Sequence, residues 1–400
     1  MARIICFVAA LFFATTSAFA ETGVDQGRYL ATLGDCAVCH SAPGPKSTPY
    51  AGGYPLHAIF GTVYSTNITP DKKTGIGNWT SGQFYHALHD GIAADGHHLY
   101  PAFPYPYFAA ISRTDSDAIF AYLRTVKAVH YKPPPNQLIF PTNIRALMAF
   151  WDALFLSPDP VRYDASKSAE WNHGDDIVNG LGHCGGCHSP KTLLFVDKAG
   201  EHFRGETIDG WYAPNLTGSM RTGLGRWTAA DIAQFLKTGS NRFGRVLGSM
   251  QDVVRVSTSR WTDADREAVA AYLKSLPAAP EAMPSKSDAQ AMENGQRIFV
   301  ERCAVCHASH SKDYPALAGN AIVQAADPTS ILRVILQGSQ SAPTPNGPVG
   351  FSMPAFPGLD DRDLADVATY IRNSWGNRAE PVSTDDAKGV RHLIGADRAK

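Results

Sequence analysis

Cys36-Ala37-Val38-Cys39-His40, Cys184-Gly185-Gly186-Cys187-His188 and Cys303-Ala304-Val305-Cys306-His307 decide how this chain reads. Each has the Cys-x-x-Cys-His form of a c-type haem attachment site. Cysteines three apart lie on one side of a helical turn, so both sulfurs can form thioethers to one porphyrin edge while the adjoining imidazole sits beneath the iron. The expectation is three covalently bound haem c groups, on Cys36, Cys39, Cys184, Cys187, Cys303 and Cys306, with His40, His188 and His307 as proximal iron ligands. A structural zinc site uses four N or S ligands, usually as two clustered pairs; these pairs are far apart, each followed directly by His. A thioredoxin-like redox pair needs a βαβ context, and none surrounds these motifs. Of the seven cysteines, Cys6 falls in an N-terminal signal and the other six are used up by the three motifs.

An internal repeat surrounds the first two motifs. Asn67 follows His40 by 27 residues and Asn215 follows His188 by 27, and in both copies a Trp stands 12 further on, at Trp79 and Trp227. The strings agree as well: Ser65-Thr66-Asn67-Ile68-Thr69 with Ala213-Pro214-Asn215-Leu216-Thr217, and Thr74-Gly75-Ile76-Gly77-Asn78-Trp79 with Thr222-Gly223-Leu224-Gly225-Arg226-Trp227. Duplication of one haem-binding unit explains this better than convergence. Asn67, Asn215 and the two Trp residues either bond haem propionates or shape the loop. Each unit closes on a helix with an N-cap and an acid three residues later, beginning at Thr114, Thr262 and Asp360 and running into Tyr122-Leu123, Tyr272-Leu273 and Tyr370-Ile371. A further short helix precedes each motif, from about Gly27, Gly174 and Gly295. The fold class expected is mainly α: three tandem cytochrome c-type domains with irregular Gly/Pro-rich loops. A G-x-G-x-x-G match at Gly180, Gly182 and Gly185 lies inside the second motif with no strand before it, so it is not a dinucleotide fingerprint.

The sixth iron ligand distinguishes the units. A Met opposite the His fills the coordination sphere and raises the potential, which suits electron transfer rather than oxygen chemistry. Met353, in Gly350-Phe351-Ser352-Met353-Pro354, and Met250, in Gly248-Ser249-Met250, precede the last helix of their units and are the expected distal ligands. Met220 falls opposite Lys72 in the repeat and is outside the shared framework. In the first unit the counterpart is Phe103: 63 residues separate it from His40, against 62 from His188 to Met250. A phenyl ring cannot ligate iron. Met148, one of His57, His86, His89, His97, His98 and His130, or no protein ligand at all are the alternatives, and the sequence leaves them open.

The chain has 400 residues, suited to two to four domains. Its formal net charge of −1 gives no electrostatic case for nucleic acid. Arg3, the apolar stretch Ile4 to Phe13 and Ala18-Phe19-Ala20 read as a cleaved secretory signal over 1–20, with a mature start at Glu21 and a periplasmic destination. The division expected is cytochrome c domain 1 over 21–131, a linker with an apolar helix over 132–165, domain 2 over 166–279, domain 3 over 280–378 and a polar C-terminal tail over 379–400. The run Phe150 to Leu156 either covers the cleft between the first two domains or docks a partner or the membrane surface.

On these motifs, together with Phe60-Gly61-Thr62-Val63-Tyr64-Ser65-Thr66-Asn67-Ile68-Thr69-Pro70-Asp71, Tyr100-Pro101-Ala102, Gly225-Arg226-Trp227-Thr228 and Ala270-Ala271-Tyr272-Leu273-Lys274-Ser275-Leu276-Pro277, the chain resembles the three-haem cytochrome c subunits of bacterial membrane-associated dehydrogenases. That family serves quinoprotein alcohol dehydrogenase, flavin gluconate 2-dehydrogenase and related aldehyde-oxidising complexes. The resemblance implies a subunit that takes electrons from a separate quinoprotein, flavin or molybdenum catalytic subunit and passes them to ubiquinone or another respiratory acceptor, such as a terminal oxidase. It implies peripheral association with the outer face of the cytoplasmic membrane. Alcohol-oxidising members usually carry Met where this chain has Phe103, which leans toward an aldehyde- or heterocycle-oxidising relative with a molybdenum partner. The competing reading is a haem enzyme, or a ligand-binding cytochrome, acting at an open first haem.

Overall fold

The computed structural model describes residues 23–44, 47–157, 163–307, 314, 316–340, 344–345 and 352–398. The expected signal at 1–20, and Gly350-Phe351 beside Met353, lie outside the described residues. In chain order the elements are α1 (residues 23–33), α2 (Cys36–Cys39), β1 (Pro55–Ala58), β2 (Gly61–Tyr64), α3 (Ser81–His89), α4 (Tyr105–Phe108), α5 (Arg113–Leu123), β3 (Gln137–Leu138) and α6 (Leu147–Phe155). There follow α7 (Ala169–Asn179), α8 (Gly185–His188), β4 (Glu206–Ile208), β5 (Trp211–Ala213), α9 (Ala229–Thr238), β6 (Ser240–Asn241), β7 (Gly244–Arg245), α10 (Met250–Val256) and α11 (Asp263–Ser275). The last are α12 (Ala289–Arg302), α13 (Ala304–His307), α14 (Thr329–Gln337), α15 (Asp361–Arg372) and α16 (Thr384–Arg398). Helices dominate, as expected. The loops also hold small antiparallel pairings: β1-β2-β3, β4-β5 and β6-β7. Asp209 and Gly210, both at positive φ (51° and 70°), turn β4 into β5 as an Asp-Gly hairpin does.

Three helix crossings organise the molecule, one per motif. A Cβ on Gly27 of α1 would lie 1.8 Å from the Ala118 carbonyl oxygen of α5, one on Gly174 of α7 2.0 Å from that of Ala268 in α11, and one on Gly295 of α12 2.2 Å from that of Asp366 in α15. At each crossing a tyrosine Cβ also lies close, of Tyr122, Tyr272 and Tyr370. The glycines expected near the helix starts therefore sit inside the helices, where the missing side chain lets two backbones touch. The closing helices are capped by Ser112, Thr262 and Asp360, which accept from the N–H of Asp115, Asp265 and Asp363. In the first, Ser112 replaces the expected Thr114, because a usable cap two residues earlier extends the helix.

The repeat is spatial as well as sequential. The N–H groups of Gly75 and Gly77 converge on the Asp71 carbonyl (both 3.1 Å), and those of Gly223 and Gly225 on the Ser219 carbonyl (3.2 and 3.0 Å). Reciprocal capping boxes then start α3 at Thr80/Gln83 and α9 at Thr228/Asp231.

The chain forms two compact units rather than three separate bodies. One comprises the residues through Arg162 with Gly180–His183; the other comprises Tyr163–Asn179 and everything from Cys184 onward. Leu181 packs on the first unit's core, beside Ala31, Phe84 and Leu123, so the boundary expected at 165/166 is crossed by this short segment. The second and third cytochrome-like parts share the other unit. Arg333 of α14 donates to the Gly210 carbonyl (3.0 Å) and lies over the Trp211 ring, 4.6 Å from its centroid, and Tyr212 N–H donates to Ser330 Oγ (2.9 Å).

The segment expected as a polar tail carries α16. Ala387, Val390 and Ile394 are buried in the core with Leu332 and Leu364. Those three positions make one helical stripe that the polar residues between them mask in the sequence. Arg372 anchors this part: wholly buried, it donates to the carbonyls of Val323 (3.0 Å), Ala325 (2.8 Å) and Glu380 (3.2 Å), and burial brings its guanidinium down to about 10. Arg372→Met strands those acceptors in a dry interior, and a loss of about 2–4 kcal/mol in denaturant unfolding is expected. A loss under about 0.5 kcal/mol would show that water replaces the guanidinium there. No helix among the described residues is long and apolar enough to cross a membrane.

Candidate functional site

All six motif cysteines stand on a short helical turn or at its end, and none of them is in a disulfide. In the first motif α2 carries both sulfurs and His40 caps it; in the second Cys184 caps α8; in the third Cys303 ends α12 and α13 carries Cys306 and His307. Burial pushes the Cys36 thiol up to about 12, with Asp35 adding to the effect, and burial raises Cys303 too. A redox-active thiol pair needs the opposite shift, toward thiolate.

The first two motif histidines have one ring nitrogen fixed by a backbone carbonyl. His40 Nδ1 lies 2.6 Å from the Thr66 carbonyl and His188 Nδ1 2.7 Å from that of Pro214, the residue before Asn67 and Asn215 respectively. A carbonyl can only accept, so Nδ1 bears the proton and Nε2 presents its lone pair. Burial lowers the pKa of both rings, against the opposing effect of the carbonyl, and favours the neutral, ligating form. This fixed tautomer and the paired cysteines beside it fit a haem attached through the motif. Among the described residues no group of three or more His, Cys, Asp or Glu gathers as a separate ion site.

Around the third motif a cavity of about 200 Å³ is lined by Cys303, Cys306, His307 and Met353. The structure thus brings Met353 and His307 to one space. Its loop is pinned by two backbone bonds with Ser339, Ser339 N–H to the Met353 carbonyl (3.0 Å) and Met353 N–H to the Ser339 carbonyl (2.8 Å). Arg245 and Leu247, at the end of β7 and in the loop that leads to α10, line the same cavity, a contribution from the second cytochrome-like part that no local sequence signal announces. Met250, half-buried, begins α10 only three residues after Leu247. Met220 is 63% exposed on the 218–225 turn.

The first motif opens on a cavity of about 320 Å³. Phe103 lines it with Cys36, Cys39 and His40, and its ring meets that of His40 edge-on with centroids 6.4 Å apart. Met148, on α6, is not among the lining residues; His97 is, and His57, His86, His89, His98 and His130 are not. His86 and His89 are held by Asp90 (2.5 and 2.6 Å), His98 by Asp152 (2.5 Å), His130 by Asp71 (3.4 Å), and His57 bonds Thr62 Oγ1 (3.0 Å). Arg145 and His183, not singled out in the sequence, also line this cavity. His183 adjoins Cys184 and meets Phe108 edge-on at 5.2 Å.

Asn67 serves the loop. Its amide donates to Thr74 Oγ1 (3.0 Å) and the Val129 carbonyl (2.8 Å), and its oxygen accepts from Thr69 N–H (2.9 Å). Asn215 repeats this with Thr222 (3.1 Å) and Thr217 (2.7 Å). Trp79 lines the first cavity, whereas Trp227 stacks on Phe243. On the first unit's surface α6 buries Trp151 and Asp152 and leaves Phe150 and Leu154 70% and 74% exposed, near the exposed pair Ile139-Phe140 in sequence.

The cytochrome c family model matches residues 174–277 and 292–375. The chain is 39% identical over 396 residues to the alcohol dehydrogenase (quinone) cytochrome c subunit of Gluconobacter oxydans, covering 93% of this chain and 82% of that one. It is 39% identical over 397 residues to the gluconate 2-dehydrogenase cytochrome c subunit of Pantoea cypripedii, covering 92% and 89%. Over 366 residues it is 40% identical to a nicotinate dehydrogenase subunit of Pseudomonas putida, covering 88% of this chain and 30% of that longer one.

Proposed function

We propose that this chain, which belongs to the cytochrome c subunits of bacterial dehydrogenases, relays single electrons through three haem c sites. The observation that carries the number three is the recurrence, at each Cys-x-x-Cys-His motif, of a helix pair crossing at a glycine: Gly27, Gly174 and Gly295. Haem c, when bound, supplies a one-electron iron couple. Cys36/Cys39, Cys184/Cys187 and Cys303/Cys306 would hold it covalently. His40, His188 and His307 would bind iron through Nε2, and the Thr66 and Pro214 carbonyls orient the first two rings. Met353 would complete the third site, supported by the cavity it shares with His307, and Met250 the second, supported by its equivalence in the repeat. Arg245 and Leu247 in the third cavity support direct passage between these two sites, since their loop runs into Met250.

The partner is a dehydrogenase catalytic subunit, and the acceptor ubiquinone or another respiratory carrier. Similarity to a nicotinate dehydrogenase subunit, with Phe103 in the Met register, favours a partner that oxidises an aldehyde or a heterocycle. The secretory pattern at 1–20 supports a periplasmic location, and the exposed apolar residues on and before α6 suit peripheral association with a partner or the membrane. The test is to purify the native complex. The mature chain is expected to begin at Glu21, to carry three haems in its intact mass, and to be reduced by substrate through the co-purifying large subunit. Two haems, or a protein that purifies with no dehydrogenase subunit, would contradict the proposal.

A further inference from the structure

We infer that the first site offers no protein ligand on the iron face opposite His40, and that it binds a diatomic ligand there, with the phenyl ring of Phe103 as the gate. The inference rests on the reading of Cys36, Cys39 and His40 as a haem site. Phe103 holds the register of Met250 in the repeat, and the structure sets its ring edge-on to His40 in the same cavity. The position that supplies a sulfur ligand elsewhere in this chain thus supplies a hydrocarbon.

The other donors named for this role do not replace it. Met148 and five of the six histidines lie outside the cavity lining. Besides His40, two histidines do line it, His97 and His183. His97 is turned in part to solvent, its side chain 39% exposed and its Nδ1 on Asp95 (2.5 Å). His183, with Nδ1 2.7 Å from the Leu181 carbonyl, sets its ring edge-on against Phe108 at 5.2 Å rather than in the Met register that Phe103 occupies.

Phe103 is also held firmly. Its carbonyl accepts from Tyr105 N–H (2.8 Å), its ring packs on Phe108 at 5.4 Å, and the buried Tyr105 hydroxyl donates to Asp152 on α6 (2.5 Å). A gate fixed in this way admits a ligand of two atoms when the ring tilts, and excludes larger ones by bulk. Carbon monoxide, a neutral diatomic that binds ferrous haem with an open position, is the probe.

The holoprotein, reduced with dithionite, is expected to bind about one carbon monoxide for every three haems, and the oxidised protein to show about a third of its haem high-spin. Phe103→Met is expected to abolish both signals, by tenfold or more in carbon monoxide bound. Phe103→Ala should raise the association rate on the order of tenfold, and His97→Ala and His183→Ala should each leave binding unchanged. Three haems, all low-spin and inert to carbon monoxide, would overturn the inference while leaving the relay intact; so would open-site signals that appear only in His97→Ala or only in His183→Ala. A chain with Cys36 and Cys39 free of haem would instead refute the reading of the first motif, and the inference with it.

Discussion

Gly174→Ala is expected to lose more than about 3 kcal/mol of stability in the unit that carries the second and third motifs, and to lower haem incorporation at Cys184 and Cys187. The added methyl would stand 2.0 Å from the Ala268 carbonyl oxygen and 3.0 Å from the Tyr272 Cβ. Neither neighbour can yield like the end of a flexible side chain. The first is helix backbone, and the second is the root of a side chain whose hydroxyl takes a hydrogen bond from Asn179 (2.8 Å). Relief requires α7 and α11 to move apart, and α7 leads directly into Cys184. Gly389, in α16, has nothing within 4 Å of its own added Cβ. Gly389→Ala should therefore be neutral or stabilising by about 0.5–1 kcal/mol, as helix propensity dictates. Thermal unfolding of both variants separates a packing requirement from a general intolerance of substitution. The crossing explanation fails if Gly174→Ala melts within about 2 °C of the parent.

The crossing shows how unevenly the fold was legible. The attachment chemistry is local, two thiols and an imidazole on one turn, so five consecutive residues announce it. The duplication could be counted directly, and the structure reproduces it down to the paired amides on Asp71 and Ser219. Helix ends were legible wherever a single cap competes, at Thr262 and Asp360. They were misplaced where two candidates stand close together, at Ser112 and Thr114. Gly27, Gly174 and Gly295 were visible as residues, but not as contact points, because nothing local says which helix approaches.

Long-range packing hid the rest. In α16 the stripe Ala387, Val390 and Ile394 is short and interrupted by Lys388, Arg391 and His392, and it becomes a core face only because α14 and α15 offer theirs. Arg245 and Leu247 reach the third cavity from the second cytochrome-like part, a meeting fixed by tertiary structure. Asn67 posed a different difficulty. An asparagine suits a propionate or a turn equally well by its chemistry, and only the groups its side chain binds, Thr69 and Thr74 in the loop and the distant carbonyls of Val129 and Tyr131, decide between them.

With Met353 as the proposed sixth ligand of the third site, Met353→His is expected to lower that site's midpoint potential on the order of 200 mV, since exchange of an axial thioether for an imidazole removes the ligand that raises it. At about 59 mV per decade for one electron, this shifts the reduction equilibrium of that site by about three decades. The substitution tests the side chain rather than the loop. Met353 is fastened by its backbone to Ser339 in both directions, and the φ of +72° at Gly338 lets the chain pass close to the Met353 carbonyl; none of this depends on the sulfur. If the chain carries the three haems proposed for it, a redox titration should therefore show one wave displaced and two unmoved, with the haem count unchanged and the red charge-transfer absorption of the Met–iron bond reduced. Met250→His should displace a different wave. Phe103, which contributes no ligand, should leave those two waves in place when replaced by Met and move only the third, so the three variants together assign each potential to its motif. If the wave pattern of Met353→His is that of the parent, Met353 is not bound to iron and the cavity it shares with His307 has another use.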